Sequence, residues 1–373
     1  MSSVTPDWAR EVVLPHVLSI PEYIPGKPVA EVERELGISG AIKLASNENP
    51  LGPSPRALEA ILANAGTANI YPESSAPDLR SAIAAKFGLA SDQIILGNGS
   101  DEIMQMLSHV FVGLDDEVIM PEKAFSMYKI VTRLFGGISK MIPLKGFGPD
   151  LEAMASSIGP RTRLLFVSNP HSPTGVTFDR ASFEKLLEQA DSSNAIIILD
   201  EAYQEYCNAS DCVNGMDYIR QSDHLIVLRT FSKIYGLAGL RVGYGASHRW
   251  LIQLLNRVKP PFNVNLLAQI AAIAAISDDE HVNRSYELNL VGRRFICEGL
   301  RELGFKAIDS QANFVAFQPT CDAGNLYLAL LKEGIIVRHL KSFGLPDYIR
   351  VTVGLEEQNR KMMQAVRKVM PLI

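Results

Sequence analysis

AIIILDEAY, residues 195–203, and LIVLRTFSK, residues 225–233, are the two stretches that decide the fold. Each begins with a short run of Ile, Leu and Val and ends in polar residues. A continuous apolar run of this length is typical of a strand that is buried on both faces of a sheet. Both stretches therefore predict strands in a sheet that helices cover on either side.

Similar apolar runs recur before these two, at residues 93–96, 117–120 and 163–167, and helical patterns separate them. Strands that alternate with helices predict a mostly parallel sheet with right-handed crossovers. After residue 260 the pattern changes to long helices mixed with short strand-like runs, which predicts a separate α+β part. The predicted fold class is α/β, with a large α/β/α domain on a mostly parallel mixed sheet and a small α+β domain.

These changes in pattern predict three parts of the chain. Residues 1–45 are expected to form an N-terminal arm and part of the small domain, residues 46–260 the large domain, and residues 261–373 the small domain. Residues 21–28 contain three prolines and a glycine, so we expect an extended segment that lies over the body of the protein.

The composition excludes several classes of protein. The 373 residues are 47% hydrophobic and carry 36 Lys and Arg against 41 Asp and Glu, a net charge of −5, which argues against a generally basic nucleic-acid binder. The spacing of the cysteines at 207, 212, 297 and 321 predicts neither a zinc site nor a disulfide framework, and it favours a reducing compartment. We recognise no targeting segment and no membrane span, so we expect a cytoplasmic protein without membrane or nucleic-acid partners.

Polar residues follow four of the predicted strands, where ligands of parallel sheets bind. Lys233 follows one of them, and lysine forms Schiff bases with carbonyl cofactors. Asp200 follows another, where its carboxylate suits either a protonated pyridine nitrogen or the cap of the next helix. Tyr203 suits either a hydrogen bond to a cofactor ring or a place in the core. Asn169 and the glycine-rich loop at residues 97–102 follow the remaining two strands.

The loop at residues 97–102 joins a strand to a helix N-terminus, where free backbone N–H groups suit a phosphate. Ser232 and Arg241 would add side-chain donors to the same phosphate. The loop is neither a dinucleotide fingerprint nor a P-loop, so a nucleotide is not indicated.

Taken together, these motifs resemble the fold type I aminotransferases that use pyridoxal 5′-phosphate, and the resemblance covers nearly the whole chain. The motifs that carry it are Ser46-Asn47-Glu48-Asn49-Pro50, Gly97–Glu102, Ser168–Gly175, Asp200–Tyr203 and Ser232-Lys233. One departure is His171-Ser172, where the family often has two asparagines; we expect a structural role for His171.

The resemblance implies three catalytic residues: Lys233 holds the cofactor as a Schiff base and moves a proton, Asp200 pairs with the ring nitrogen, and Tyr203 contacts the ring hydroxyl. It also implies that Asn169 contacts this hydroxyl and that Tyr128 stacks on the ring face. The implied phosphate contacts are Gly99, Ser100, Asp101, Ser232, Arg241 and, from the neighbouring subunit, Tyr71. A homodimer with a shared active site and no metal is therefore expected.

Within the family, the segments at residues 23–28, 71–72, 338 and 348–354 resemble the branch that transaminates L-histidinol phosphate with 2-oxoglutarate, giving imidazole acetol phosphate and glutamate in histidine biosynthesis. The implied substrate-binding residues are Tyr23, Asn47, Asn313, Arg338 and Arg350. Three alternatives stay open: an aromatic amino-acid aminotransferase, a threonine-phosphate decarboxylase, and a protein of this fold that binds the cofactor without catalysis.

Overall fold

The computed structural model describes residues 6–372, so residues 1–5 of the predicted N-terminal arm lie outside the described residues. The strands are β1 Ile42–Lys43, β2 Ile94–Gly97, β3 Glu117–Pro121, β4 Ile138–Ile142, β5 Thr162–Ser168, β6 Ile196–Asp200, β7 Leu225–Thr230, β8 Gly243–Ser247, β9 Lys306–Ala307, β10 Phe314–Gln318, β11 Ile335–Ile336, β12 Arg338–His339 and β13 Ile349–Thr352. The helices are α1 Asp7–Val12, α2 Val29–Leu36, α3 Pro55–Asn64, α4 Pro77–Phe87, α5 Ser100–Phe111, α6 Ser126–Leu134, α7 Leu151–Ser156, α8 Arg180–Ser193, α9 Arg249–Val258, α10 Leu266–Ile276, α11 Asp279–Glu302, α12 Ala323–Lys332 and α13 Glu356–Val369.

The large domain contains a seven-stranded sheet in the order β2-β8-β7-β6-β5-β3-β4. The five strands from β7 to β4 run parallel to their neighbours, whereas β8 is antiparallel to both β2 and β7. This arrangement confirms the predicted mostly parallel mixed sheet. The carboxyl ends of β5, β6 and β7 therefore meet at one edge.

Successive side chains of β6 enter two different hydrophobic cores, which explains why this strand reads as a continuous apolar run. Ile197 and Leu199 pack with α8 and α10 on one face of the sheet. Ile196 and Ile198 pack with α5, α6 and α9 on the other. The prediction of a sheet covered on both faces is confirmed.

Two strands of this sheet have sequences that predict no strand. β4 lies at the edge and is largely accessible, so it contains Ser139 and Lys140 in place of an apolar run. β8 has the sequence GYGAS, because a side chain at Gly245 would press against Ile95 and Ile226 of the core. Small residues are required at this position by tertiary packing, which a local pattern does not reveal.

The small body is built from both ends of the chain. The antiparallel sheet β12-β13-β10-β9 is covered by α11, α12 and α13. β1, near the N-terminus, pairs in parallel with β11, near the C-terminus. The helix α10 packs with the large sheet, since Ala268, Ala272 and Ile276 belong to its core. The domain limits stay a prediction, and this packing favours a boundary between α10 and α11.

The structure differs from the sequence prediction at one pair of cysteines. A disulfide joins Cys207 and Cys212, whereas Cys297 and Cys321 are free. The two half-cystines are five residues apart in a loop that folds back on itself, with 6.8 Å between their Cα atoms. The sequence predicts no disulfide framework, and this single short-range pair departs from that expectation, because the chain's path brings the two cysteines together and their spacing does not indicate it.

The described chain has neither a helix that could span a membrane nor a cluster of metal-ligating side chains. None of its helices is long and apolar enough to cross a membrane. Residues 6–372 also contain no cluster of three or more His, Cys, Asp or Glu side chains that could hold a metal ion.

A buried ion pair supports the sheet behind its carboxyl edge. The Glu201 carboxylate is fully buried and accepts hydrogen bonds from Arg229 Nε at 2.9 Å and Nη2 at 2.8 Å. Burial raises the pKa of Glu201, and the adjacent guanidinium acts in the opposite direction. Removing one partner would leave a charge in the core without compensation.

We expect Arg229→Met to lower the free energy of unfolding by about 3–5 kcal/mol, because Glu201 would stay buried without its partner. Urea denaturation measures this change. Arg249→Met, which breaks an exposed ion pair with Asp92, is the matched control and should cost at most about 1 kcal/mol. Adding Glu201→Gln to Arg229→Met should recover part of the loss. Equal stability of the two arginine variants would contradict the prediction.

Candidate active site

A cavity of about 190 Å³ opens at the carboxyl edge of the large sheet. It collects eight of the sixteen residues that the sequence predicts for a site. The lining residues are Tyr23, Ser100, Asp101, Phe125, Ser172, Asp200, Ala202, Tyr203, Thr230, Ser232, Lys233 and Arg241.

One end of the cavity is suited to an anion. Helix α5 begins at Ser100, so its N-terminal N–H groups lie at this end. Gly99 has a φ of +84°, and a Cβ at this position would lie 2.5 Å from Arg241 Nη2. Arg241 Nη1 donates to Ser232 Oγ at 3.2 Å, which holds the guanidinium beside the loop. Glycine is therefore required here for the arginine to approach.

Asp101 belongs to the same end but contributes a negative charge. Its carboxylate lies 3.5 Å from Arg241 Nη2. Burial raises the pKa of Asp101, while Arg241 and Lys233 lower it. The carboxylate thus fixes the arginine, and the backbone of the loop is left to receive a phosphate.

Lys233 lies three residues after the end of β7 and turns its amine into the cavity. Nζ donates to the Ser46 carbonyl oxygen at 3.1 Å and lies 5.7 Å from the centre of the Tyr203 ring. Within residues 6–372 the amine forms no ion pair with a carboxylate. An amine without a salt bridge is available for reaction with a carbonyl group.

Asp200 ends β6 and lines the same cavity from within the sheet. Its Oδ2 accepts a hydrogen bond from the Tyr128 hydroxyl at 2.7 Å, and its Oδ1 accepts one from the Ala202 N–H at 3.1 Å. Burial raises the pKa of Asp200 to about 6, while the Tyr128 hydrogen bond lowers it. No helix begins at Asp200, since the next helical turn is Gln204–Tyr206, with Tyr203 as its cap. The alternative of a helix cap is therefore wrong, and a cationic partner would suit this carboxylate.

Tyr203 is held from behind by two asparagines. Its hydroxyl accepts a hydrogen bond from Asn47 Nδ2 at 2.8 Å, and Asn313 Nδ2 donates to the Asn47 carbonyl at 3.0 Å. Asn47 itself is fixed in a left-handed conformation with φ 56° and accepts a hydrogen bond from the Thr352 hydroxyl. Neither asparagine lines the cavity. The structure gives them a supporting position behind Tyr203, and their contact with substrate stays a prediction.

The aromatic residue at the cavity is Phe125 and not Tyr128. Tyr128 is fully buried, stacks on Phe166 with 4.6 Å between ring centres, and donates a hydrogen bond from its hydroxyl to Asp200. The prediction that Tyr128 stacks on a cofactor ring is thus wrong, because one helical turn separates the two aromatic rings and only the first faces the opening. Both lie in Ala124-Phe125-Ser126-Met127-Tyr128, so the motif could have suggested either.

Asn169 is fully buried and does not line the cavity. Its amide donates to the Val213 carbonyl at 3.1 Å, and its Oδ1 is buried without a partner. Ser172, three residues later in the chain, lines the cavity. The contact of Asn169 with a ring hydroxyl stays a prediction, and its unpartnered Oδ1 is an acceptor that would suit this hydroxyl. The signal for Ser172 is that it directly precedes Pro173-Thr174-Gly175, inside the motif where this chain departs from the family pattern.

His171, next to Ser172, is part of the core. It is fully buried, with Nδ1 2.9 Å from Ser168 Oγ and Nε2 3.0 Å from the Lys123 carbonyl oxygen. Burial lowers the pKa of His171 to about 4, so the imidazole is neutral near pH 7. These contacts fit the expected structural role.

Two arginines face each other beside the cavity. Arg350 of β13 and Arg338 of β12 are directly paired in register. Arg350 is 6% exposed, donates to the Ala45 carbonyl at 3.1 Å and has an Nε without a partner. Arg338 donates to the Ile24 carbonyl at 2.7 Å, so it holds the segment that carries Tyr23. Neither arginine forms an ion pair within residues 6–372, and both are therefore available to an anionic ligand.

Tyr71 does not line the cavity of its own chain. It is 79% exposed and stacks on Phe262 at 4.7 Å, in a separate concave region of the surface. This is the position that a residue serving a neighbouring subunit would need.

The model of the family described as aminotransferase class I and II matches residues 39–366. The chain belongs to this family. It is 44% identical to a histidinol-phosphate aminotransferase of Moorella thermoacetica, over 95% of this chain and 92% of the relative. It is 42% identical to histidinol-phosphate aminotransferase 1 of Nitrosococcus oceani, over 95% of each chain. The predicted family and the prediction of an aminotransferase are confirmed.

The aminotransferase also has close structural neighbours. The crystal structure of histidinol-phosphate aminotransferase from Sinorhizobium meliloti in complex with pyridoxal-5′-phosphate superposes with a TM-score of 0.88. It is 24% identical in sequence and covers 96% of this chain and 98% of its own. This likeness confirms the predicted fold type I architecture.

We expect Tyr128→Phe to raise the pKa of Asp200 above its value of about 6, because the variant removes a hydrogen bond that favours the ionised carboxylate. Protonated Asp200 cannot pair with a cationic ring. As the pH falls, the variant should therefore lose affinity for pyridoxal phosphate at a higher pH than the wild type. Spectroscopic titration of the cofactor-free protein at pH values above and below 6 measures this shift. Superimposable pH profiles would contradict the role assigned to Tyr128.

Proposed function

We propose that this aminotransferase converts L-histidinol phosphate and 2-oxoglutarate into imidazole acetol phosphate and glutamate, as a step of histidine biosynthesis. The observation that carries the proposal is its 44% identity, over nearly the whole chain, to a relative named for this activity. The arginine pair beside the cavity supports it, because both the phosphorylated substrate and the dicarboxylate are anions. A cytoplasmic location remains a prediction.

The residues of the cavity fit pyridoxal 5′-phosphate as the cofactor. The backbone at Gly99 and Ser100, with Ser232 and Arg241, suits its phosphate. Asp200 suits its ring nitrogen, and the Lys233 amine suits its aldehyde. When bound, the cofactor supplies a protonated ring that accepts the electron pair released from the substrate's Cα–H bond.

The chain's own residues then have separate tasks. Asp200 would be an ionised carboxylate beside the ring nitrogen and would keep the proton on that nitrogen. Tyr128 hydrogen-bonds to this carboxylate from behind. Lys233 Nζ would hold the cofactor through its aldehyde carbon. When free, the same amine would remove the proton from the substrate's Cα and deliver it to that aldehyde carbon. Tyr203 orients the ring, and Phe125 lies against the cavity as the aromatic wall.

The arginine pair gives the site its preference for anions. Burial and the charge of Arg338 lower the pKa of Arg350, whereas the hydroxyls of Tyr203 and Tyr23 raise it, and arginine stays protonated. A buried guanidinium without a carboxylate partner carries a cost that an anionic ligand removes. We infer that Arg338 and Arg350 hold the phosphate of histidinol phosphate in one half-reaction and a carboxylate of the dicarboxylate in the other.

The proposal predicts a specific order of substrates. Keto product should form fastest from histidinol phosphate with 2-oxoglutarate as acceptor, and more slowly from phenylalanine and tyrosine, which bring no phosphate. Threonine phosphate should give no decarboxylated product. Coupled assays of keto product and released carbon dioxide measure these rates, and Lys233→Ala is the control, expected to be slower by about 10²-fold or more. Faster turnover of aromatic amino acids, or decarboxylation of threonine phosphate, would assign the protein to those alternatives.

We further propose a homodimer in which Tyr71 reaches the cofactor phosphate of the neighbouring subunit. Large apolar side chains line the same concave region as this tyrosine, with Ile70 60% and Phe262 42% exposed. Exposed apolar patches of this kind are typical of protein interfaces. A second copy of the chain would cover them and bring Tyr71 toward its cavity.

Mixing two impaired variants tests the shared site. Tyr71→Ala and Lys233→Ala homodimers should both be strongly impaired, but a mixed dimer contains one site with a native lysine and a native tyrosine. Dissociation and re-association of equal amounts should therefore restore about a quarter of the wild-type activity, since half of the dimers are mixed. Absence of recovery, with mixed dimers verified by mass spectrometry, would contradict the sharing of Tyr71.

A further inference from the structure

The described chain has three buried arginines, and they differ in how their charge is compensated. Arg229 is paired with Glu201. Arg350 and Arg293, which are 6% and 8% exposed, form no ion pair within residues 6–372. Arg350 lies at the candidate substrate site, whereas Arg293 lies on helix α11, outside the active-site cavity. The same feature that marks an anion site at Arg350 therefore occurs at a second place.

Arg293 lines a separate cavity of about 300 Å³. Its Nη2 donates to Asn208 Oδ1 at 2.8 Å, while its Nη1 is buried and has no hydrogen-bond partner among residues 6–372. Burial lowers the pKa of Arg293, and the Asp309 carboxylate acts in the opposite direction. A buried, charged guanidinium with an unused donor is costly unless an anion accompanies it.

With Arg293 included, the charges at this cavity are positive on balance. Arg294 and Arg301 join Arg293 from the same helix, and Glu298 and Asp309 are the carboxylates present. Asp309 is already paired with Arg301 at 2.5 Å. Three guanidinium groups against two carboxylates leave one net positive charge.

Neutral donors complete the cavity. The Ser310 hydroxyl accepts from the Ala312 N–H, so its own hydrogen is free to donate. Gln311 accepts from the Asn208 N–H through its amide oxygen, which leaves its amide NH₂ free. Several N–H and O–H donors around a net positive charge match the acceptor oxygens of a phosphate group.

From this arrangement we propose that the cavity around Arg293 binds a small phosphate-bearing anion at a site separate from the active site. The two cavities share no lining residue. The site lies between the disulfide-closed loop at Asn208 and the small body at α11, and it adjoins Ala312-Asn313, which supports Tyr203 through Asn47. Bound phosphate would tie these two parts of the chain together.

Calorimetric titration of the cofactor-loaded enzyme with inorganic phosphate tests the proposal. Wild type should show a saturable site, and Arg293→Met should weaken it by about tenfold or more, because the principal charge is lost. Arg294→Ala, at an exposed position, should weaken it as well and serves if Arg293→Met does not fold. The matched control is Arg284→Met, an exposed arginine of the same helix outside the cavity, which should bind like wild type.

Further titrations identify the ligand and locate its site. Glycerol phosphate that binds more tightly than inorganic phosphate identifies a phosphate ester, and equal affinities identify phosphate itself. Arg338→Ala should retain the binding, because it alters only the active-site arginine pair. The proposal is overturned if phosphate does not bind, if acetate binds as well as phosphate, if Arg293→Met and Arg294→Ala both bind like wild type, or if only Arg338→Ala abolishes binding. None of these titrations contains an amino donor, and Arg338→Ala removes phosphate bound at the proposed substrate site, so a site that persists in this variant is independent of the proposed substrate.

Discussion

The structure depends on one constraint: a sheet buried on both faces can present polar groups only where its strands end. β5, β6 and β7 are packed between two cores over most of their length, so their chemistry is concentrated at one edge. The carboxyl ends of parallel strands meet there, which brings Asp200 and Lys233 into one cavity although 33 residues separate them. The helix N-terminus at Ser100 and the tight approach of Arg241 to Gly99 then complete an anion-binding end.

Charge burial determines what this edge can bind. Glu201 is compensated inside the protein by Arg229, and the pair supports the sheet. Asp200 has two neutral hydrogen-bond donors and no cation in contact, so burial raises its pKa and leaves it suited to a cationic ring. Arg350 and Arg293 are buried cations that form no ion pair with a carboxylate within residues 6–372. A buried charge that the described chain does not neutralise thus marks a place for a ligand, and its sign indicates the sign of that ligand.

The fold and the centre of the site were predictable from local patterns, and the details around them were not. Long apolar runs predict β6 and β7, because burial on both faces requires apolar residues at every position. Apolar runs do not predict β8, because its residues must be small where they pack against side chains of the neighbouring strands. Phe125 and Tyr128 belong to one motif, and only the direction of the helix decides which one faces the cavity. The same applies to Asn169 and Ser172, and to the cysteines that a folded loop brings together.

The sequence by itself determined the α/β class, the order of the strands along the chain, the lysine, the aspartate and the phosphate loop, because these depend on periodicity and on motifs within a few residues. Only the tertiary structure decided which side chains border the cavity, that Arg338 and Arg350 are partners in register, and that Arg293 is buried without a counter-ion. The physical reason is that burial, register and compensation of charge arise between segments that are far apart in the chain. A local pattern contains no information about the group that a side chain will meet.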